Sequence, residues 1–331
     1  MGYSANDARY NTMQYVRCGQ SGLKLPLLSL GFWHNFGANA DYDNARALCF
    51  TAFDSGITHF DLANNYGPPY GAAETTLGRV LKEDLHAYRD ELLLSTKAGY
   101  DMWPGPYGDH GSRKYLMASL DQSLRRLGVD YVDIFYHHRP DPETPLEETM
   151  LALSDIVRQG KALYIGISNY DGQTMQRASA LLHELRCPFV INQCRYSIFD
   201  RTIEQNGLKD AAKAAGKGII AFSPLAQGLL TNRYLDGVPK DSRIGRDGRY
   251  LTEKNLTPET LRRIRLLNDV ASARGESLAQ MALRWVLRDG AVTSVLIGAS
   301  HPSQIKENLG ILAPMPFAPS ELAAIERCVG E

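Results

Sequence analysis

Eight short apolar segments, each followed by an amphipathic helical pattern, recur along this chain of 331 residues. They occupy residues 27–31, 57–60, 92–95, 132–136, 163–167, 189–192, 218–222 and 295–297. Short strands that are almost entirely apolar are typical of a parallel sheet covered by helices on both faces. The alternation therefore predicts an α/β fold in which each strand is followed by a covering helix.

Eight such units fit a closed (β/α)8 barrel, the TIM barrel. An open, doubly wound sheet is the alternative, and it typically carries a GxGxxG fingerprint after its first strand. Neither GxGxxG nor GxxxxGK[ST] occurs in the sequence, so the barrel is favoured. We expect one domain over residues 1–331, because α/β barrels of this length fold as single units. Residues 1–13 are expected to form a loose arm, residues 14–26 a β-hairpin, and residues 229–256 a long loop insertion.

Composition excludes several classes of partner. The net charge is −1, which provides no field for attracting nucleic acid or an anionic membrane. No run of about 18 apolar residues and no apolar signal segment occurs. The five cysteines are scattered and form no CxxC motif, which indicates free thiols in a reducing compartment. We therefore expect a soluble, cytoplasmic protein that binds neither nucleic acid nor membrane.

Polar side chains follow the predicted strands, at the end of a barrel where active sites lie. Any one of these residues alone is ordinary on a barrel rim, but polar groups after seven strands indicate a functional site. They include Asp61, Lys97, His138, Ser168, Asn169, Gln193, Ser223 and Ser300.

Four of the residues at this end suggest proton chemistry. A free tyrosine titrates near pH 10, so Tyr66 is expected to hold its proton at neutral pH. A Lys97 ammonium within a few Å would lower that pKa, and Asp61 would keep Lys97 charged. The His138 imidazole is suited to donate a hydrogen bond to a substrate carbonyl or to relay the proton. These four residues form a plausible general-acid site for reducing a carbonyl.

Nine sequence motifs give further information about the class of protein. They are GITHFDLANNYG (56–67), GAAETTLG (71–78), STKAG (95–99), VDIFYHHRPD (132–141), GISNY (166–170), NQCRYS (192–197), FSPLAQGLLT (222–231), IGAS (297–300) and QIKEN (304–308). In these motifs the chain resembles the aldo-keto reductases, from Tyr15 to about Leu312. The loop WHNFG (33–37) and the run RPDPETPLEET (139–149) resemble the branch that holds bacterial L-glyceraldehyde 3-phosphate reductases and potassium-channel β subunits.

The resemblance implies roles for individual residues. Asp61, Tyr66, Lys97 and His138 match the catalytic tetrad of the family, with Tyr66 as the proton donor and NADPH as the hydride source. The resemblance also implies a cofactor site. Its expected residues are Ser168, Asn169 and Gln193 for the carboxamide; Phe222 stacked on the nicotinamide; Ser223, Pro224, Leu225, Gln227 and Gly228 in the pyrophosphate loop; Arg233 and Arg243 in the covering insertion; Gly298, Ser300, Gln304, Glu307 and Asn308 towards the adenosine; and Phe32, Trp33 and Asp61.

The last loop departs from the family pattern. Many members carry Lys and Arg there to hold the 2′-phosphate, whereas this chain has Ala299 and Gln304. A preference for NADPH over NADH would then depend on Ser300 and on the two arginines of the insertion.

A small aldehyde is the expected substrate. Trp33, Tyr66, Trp103 and His138 are the candidate pocket residues, and they leave room for a short molecule. The resemblance makes L-glyceraldehyde 3-phosphate the best single candidate, and Arg113 and Lys114 are the nearby cations to receive its phosphate.

Other functions remain open from the sequence. A broad aldehyde-detoxifying reductase, acting for example on methylglyoxal, has the same requirements. A redox-sensing regulatory partner like the channel β subunits is disfavoured, because those proteins carry asparagine where this chain has His138. A Schiff-base aldolase would need Lys97 neutral, which Asp61 opposes. No metal site is predicted, because the histidines at 34, 110, 137 and 138 show no ligand spacing and His137 is expected to be structural. A homo-oligomer remains possible.

Overall fold

Eight parallel strands form a closed barrel in the computed structural model, which describes residues 2–240, 242–246 and 251–330. An antiparallel hairpin precedes the barrel and consists of β1 (Tyr15–Arg17) and β2 (Lys24–Pro26). The barrel strands are β3 (Leu28–Gly31), β4 (His59–Asp61), β5 (Leu93–Ala98), β6 (Val132–His137), β7 (Ala162–Ser168), β8 (Phe189–Arg195), β9 (Gly218–Phe222) and β10 (Ser294–Ile297). Each pairs with the next, and β10 closes on β3 with Val295 opposite Leu28. The predicted TIM barrel and its N-terminal hairpin are confirmed.

Helices surround the strands. They are α1 (Tyr42–Asp54), α2 (Ala72–Val80), α3 (Arg113–Leu127), α4 (Leu146–Arg158), α5 (Gly172–Glu184), α6 (Thr202–Gln205), α7 (Leu208–Ala214), α8 (Arg243–Arg246), α9 (Pro258–Ala273), α10 (Leu278–Leu287), α11 (Pro302–Asn308) and α12 (Pro319–Gly330). Side-chain oxygens of Asp41, Ser112 and Thr257 accept N–H bonds from the first turns of α1, α3 and α9, which fixes where these helices begin. Within the described residues, we find no helix that combines the length and the apolarity needed to cross a bilayer.

The hairpin closes the N-terminal end of the barrel. Leu25 of β2 and Cys18 pack with Leu93, Ile191 and Leu296 inside the barrel. This apolar plug is separate from the main core, which lies between the strands and the surrounding helices. Among the described residues, the barrel interior is therefore filled at its N-terminal end and open at the C-terminal ends of the strands.

The first residues differ from the expected loose arm. The ring of Tyr3 stacks on Phe50 with centroids 3.9 Å apart, and its hydroxyl donates to Asp54 Oδ1 at 2.7 Å. Ala5 and Met13 are buried in the main core. These contacts offset the entropy of ordering the segment. Residues 2–13 are thus part of the packed domain.

The segment after β9, expected as an insertion over 229–256, crosses one side of the barrel mouth. It contains two short 3-10 turns, Asn232–Tyr234 and Glu253–Asn255, and the helix α8 between them. Leu230, Tyr234 and Leu251 anchor it in the main core. Residues 241 and 247–250 of this stretch lie outside the described part of the chain.

Candidate active site

A cavity of about 1220 Å³ opens at the C-terminal ends of the strands. This volume exceeds the roughly 300–1,000 Å³ of a typical site for one small molecule. Its wall includes Asp61, Tyr66 and His138 on one side and the loop after β9 with the start of α11 on the other. The cavity therefore has room for a large ligand and a small one together.

A buried ion pair lies at the base of this cavity. Lys97 Nζ is 2.5 Å from Asp61 Oδ2 and donates a second hydrogen bond to the carbonyl oxygen of Leu62, also at 2.5 Å. Asp61 Oδ1 accepts hydrogen bonds from Ser95 Oγ at 2.7 Å and Gln193 Nε2 at 3.1 Å. Burial lowers the pKa of Lys97, and the adjacent Asp61 carboxylate opposes that effect. Asp61 accepts hydrogen bonds from three side chains, which is the pattern of a carboxylate paired with an ammonium group.

Tyr66 lies directly above Lys97, whose Nζ is 5.1 Å from the centre of the tyrosine ring. Burial raises the pKa of Tyr66 well above its ordinary value of 10, and the negative charge of Asp61 adds to the effect. This direction is opposite to the one expected from the sequence. The sign differs because burial of the phenol outweighs the effect of the Lys97 ammonium, whose hydrogen bonds go to Asp61 and Leu62. Tyr66 therefore keeps its proton at neutral pH. It can donate that proton only to a strongly basic acceptor bound beside it.

His138 faces the same space. Its ring lies edge-on to Tyr66 with centroids 6.0 Å apart, and edge-on to Tyr100 with centroids 4.7 Å apart. Burial, followed by the positive charge of Lys97, lowers the pKa of His138 well below 6.5. Its buried Nδ1 atom has no hydrogen-bond partner among the described residues. His138 is therefore a neutral imidazole that can bind a ligand oxygen without bringing a charge.

His137 belongs to a different environment. Its Nδ1 atom lies 2.7 Å from the hydroxyl of Tyr170, on the helix side of β6. Burial lowers its pKa to about 4, so it is neutral. The position agrees with the structural role expected for it.

Most residues expected to bind the cofactor line the cavity. They are Phe32, Trp33, Asp61, Asn169, Gln193, Phe222, Ser223, Pro224, Leu225, Gln227, Gly228, Arg233, Gly298, Ser300, Gln304, Glu307 and Asn308. Ser168 lies behind this wall, where its Oγ accepts a hydrogen bond from Asn169 Nδ2 at 3.2 Å. The side chain of Arg243 lies outside the described residues.

The local backbone explains how two parts of this wall are formed. In the loop after β9, Ser223, Ala226 and Gln227 have φ values of 52°, 47° and 60°, in the left-handed region. These turns fold the loop back tightly over the barrel end. At the start of α11, Gln304 Oε1 accepts hydrogen bonds from the Ser300 backbone N–H at 2.7 Å and the Ser300 hydroxyl at 3.2 Å. Gln304 thus holds the last loop in place.

Three residues expected near the substrate do not line the cavity. Trp103 packs on Tyr115, with ring centroids 5.2 Å apart. Arg113 begins α3 on the outer surface, where its guanidinium is 2.6 Å from Asp155 Oδ2. Lys114 lies over the ring of Tyr107, 5.1 Å from its centre. The start of α3 faces α4 and not the barrel mouth, so these predictions of substrate contact are not supported.

Three further residues at the site were not predicted from the sequence. Tyr100 and Arg195 line the cavity, and Ser95 contacts Asp61. Arg195 ends β8, and its guanidinium carbon is 5.7 Å from the centre of the Phe222 ring. A signal for each was present, because Ser95 and Arg195 lie within the STKAG and NQCRYS motifs and Tyr100 follows the first of them.

Comparisons with known proteins agree with this geometry. The sequence pattern of the Aldo/keto reductase family matches residues 27–329. The chain is 56% identical to the L-glyceraldehyde 3-phosphate reductases of Escherichia coli O157:H7 and of strain K12, over its whole length and 96% of each relative. It is 36% identical to a probable voltage-gated potassium channel subunit beta of Oryza sativa subsp. japonica, over 94% of both chains. The resemblance drawn from the motifs is thereby confirmed.

Proposed function

The chain belongs to the aldo-keto reductase family, and on that premise we propose that it reduces L-glyceraldehyde 3-phosphate with NADPH. The observation that carries the proposal is the protonated Tyr66 above the buried Asp61–Lys97 pair at the base of the cavity. The choice of substrate is supported by the 56% identity to two reductases that are named for it.

The cavity wall fits a nicotinamide dinucleotide. Phe222 offers a partly exposed aromatic ring, and Asn169 and Gln193 offer amide groups beside it. The hydroxyl groups of Ser223 and Ser300 and the guanidinium of Arg233 lie along the same wall. When bound there, NADPH supplies the hydride. The chain supplies an aromatic surface, hydrogen-bond donors and the Arg233 cation for a phosphate.

Four side chains would then take part in proton transfer to the substrate. Tyr66 holds it on its hydroxyl, and the neutral His138 can hydrogen-bond the carbonyl oxygen beside that hydroxyl. As the carbonyl oxygen gains negative charge, it becomes basic enough to take the proton from Tyr66. The Lys97 ammonium below the ring stabilises the negative charge left on the phenol oxygen, and Asp61 keeps Lys97 in place. A site without bulk water strengthens each of these interactions.

The direct test of the substrate is a comparison of two aldehydes. We expect kcat/KM for L-glyceraldehyde 3-phosphate to exceed that for L-glyceraldehyde by about tenfold or more, as expected for one charge-assisted contact to the phosphate. NADPH oxidation in a spectrophotometer measures both values. Equal rates with methylglyoxal and other generic aldehydes would instead identify a broad aldehyde reductase.

Arg195 is our candidate for the phosphate contact. It lines the cavity, and its Nε is 4.0 Å from Asp200 Oδ2, a long separation for an ion pair. Replacing Arg195 by alanine should remove most of the preference for the phosphorylated aldehyde and leave the NADPH Kd unchanged. Arg113→Ala is the control, because Arg113 is paired with Asp155 on the outer surface. A weaker NADPH Kd in Arg195→Ala would place this residue at the cofactor and not at the substrate.

Arg233 and Arg243 are expected to distinguish NADPH from NADH. The last loop has Ala299 and Gln304 where a basic pair is common in the family, so the insertion is the nearest source of cations. A charge-assisted contact to phosphate contributes about 1.5–3 kcal/mol. Replacing both arginines by alanine should therefore weaken NADPH binding at least about tenfold and barely change NADH binding. Nicotinamide fluorescence measures both Kd values, and Arg158→Ala on the outer face of α4 is the control. An equal loss for both cofactors would show that these arginines do not contact the 2′-phosphate.

A further inference from the structure

A chain of hydrogen bonds crosses the barrel interior and ends on Asp61. Ser294 Oγ lies 2.7 Å from Ser29 Oγ, and Ser29 Oγ lies 2.9 Å from His59 Nδ1. His59 Nε2 is 2.9 Å from Ser95 Oγ, which donates to Asp61 Oδ1 at 2.7 Å. The five side chains come from β10, β3, β4 and β5, and all of them are buried. Ser95 was described above as a donor to Asp61, and the other three have no role in the mechanism described above.

The direction of each hydrogen bond in the chain follows from that of the final bond, which joins Ser95 to Asp61. An ionised carboxylate only accepts, so the Ser95 hydroxyl must donate to Asp61. The Ser95 oxygen can then accept the N–H of His59 Nε2. Burial lowers the pKa of His59 to about 4, so the ring is neutral and its Nδ1 accepts from Ser29. The Ser29 oxygen can in turn accept the Ser294 hydroxyl at 2.7 Å, a shorter distance than the 3.4 Å from that hydroxyl to the carbonyl oxygen of Leu27. Every proton in the chain therefore points towards Asp61.

Hydrogen bonds that share one direction polarise and strengthen one another in a low dielectric. The Ser95 hydroxyl, the final donor of the chain, then stabilises the Asp61 carboxylate more than an isolated hydroxyl would. The layer directly below, with Leu93, Ile134 and Ile191, is apolar. A polar row in such surroundings costs stability unless all of its members are paired, and here each one is.

We propose that Ser95 and His59 are positioning residues that keep Asp61 ionised and directed at Lys97, so that Lys97 stays charged beneath Tyr66. The expected effect on catalysis rests on the proposed function. The expected effect on the protonation of Asp61 and Lys97 does not. Without the Ser95 hydroxyl, Asp61 keeps only Gln193 and Lys97 as side-chain donors, and its carboxylate competes better for the Lys97 proton. The pair is then neutral in a larger fraction of molecules, and in those molecules the charge below Tyr66 is lost.

The titratable groups around this pair are few, which makes the effect of one hydrogen bond measurable. Gln193 from β8 is the remaining neutral donor to Asp61. The titratable groups that act on Asp61 or Lys97 are His59 of β4, Tyr66 of the loop after β4, Glu74 of α2, Tyr136 of β6, and His138 directly after β6.

Infrared spectroscopy of the purified protein tests the protonation state directly. At neutral pH, Ser95→Ala should gain a carbonyl stretching band of a protonated, buried carboxyl group. That band should be absent from the wild type and from the Ser95→Ala/Asp61→Asn double variant. Ser29→Ala interrupts the chain further from Asp61 and should give a weaker band. Ser119→Ala, a buried serine of α3 outside the chain, is the matched control.

Kinetics supply the second measurement. We expect kcat of Ser95→Ala to fall by about tenfold, the loss expected for one hydrogen bond to a charged group, while KM changes little. Wild-type kcat with no new infrared band in Ser95→Ala would overturn the proposal and leave the proposed reductase function standing. A wild type that reduces no aldehyde would overturn that function, while the infrared result would still decide the role of the chain.

Discussion

Replacing Tyr66 by phenylalanine is expected to abolish carbonyl reduction, with a loss of about 10²–10⁴-fold or more. The substitution removes only the transferable proton and its oxygen. The ring keeps its contacts with His138 and Lys97, so the cavity wall stays in place. We expect unchanged circular dichroism and an unchanged Kd for NADPH, and kcat is the quantity that falls.

The high pKa of Tyr66 adds a second expectation. Because burial raises this pKa well above 10, the phenol stays protonated across the neutral and mildly alkaline range. Tyr164→Phe, in β7 and outside the cavity, should behave as wild type and serves as the control. If Tyr66→Phe keeps activity within a few-fold of the wild type, Tyr66 is not the acid. The proton would then have to come from another donor in the cavity.

The barrel was predictable because its signal is repeated eight times. Each apolar segment is short and is followed by a helical pattern, so an error in one unit does not change the fold. The predicted strand over residues 218–222 coincides with β9 (Gly218–Phe222). In the segment predicted at 57–60, the first residue that pairs with β5 is His59, opposite Leu93. Ile57 and Thr58 precede the paired part of the strand. The strand ends converge in any such barrel, which is why Asp61, Lys97 and His138 could be placed together from the sequence.

The errors concern contacts that distant parts of the chain create. The polar segment 2–13 has no local reason to be ordered, and its partners Asp54 and Tyr88 lie 48 and 83 residues away. Arg113 follows the N-cap residue of α3. Its ion pair with Asp155 forms because α4 packs beside α3. The sign of the Tyr66 pKa shift depends on burial by the finished cavity wall. None of these effects has a local sequence pattern.

The Asp61–Lys97 pair gives the sharpest prediction for stability. Asp61→Asn leaves the Lys97 ammonium fully buried without an anion, and we expect the free energy of unfolding to fall by about 3–5 kcal/mol. The double variant Asp61→Asn/Lys97→Met removes both charges and should recover most of that loss. Denaturant titration measures the three free energies. Because both variants lack the charged lysine–aspartate pair, both should be nearly inactive, which separates stability from catalysis.

The pH dependence of Asp61→Asn follows from the sign of the Lys97 shift. Burial lowers the folded pKa of Lys97 below its ordinary value of 10.5, and the substitution removes the carboxylate that opposes this shift. Between the folded and unfolded pKa values, the unfolded chain binds more protons, so stability rises with pH. Asp61→Asn should therefore regain stability as pH rises towards 10.5, whereas the double variant lacks this rise. A single variant as stable as the double one at neutral pH would contradict the buried ion pair, and it would mean that Lys97 is already neutral or reaches water in the folded protein.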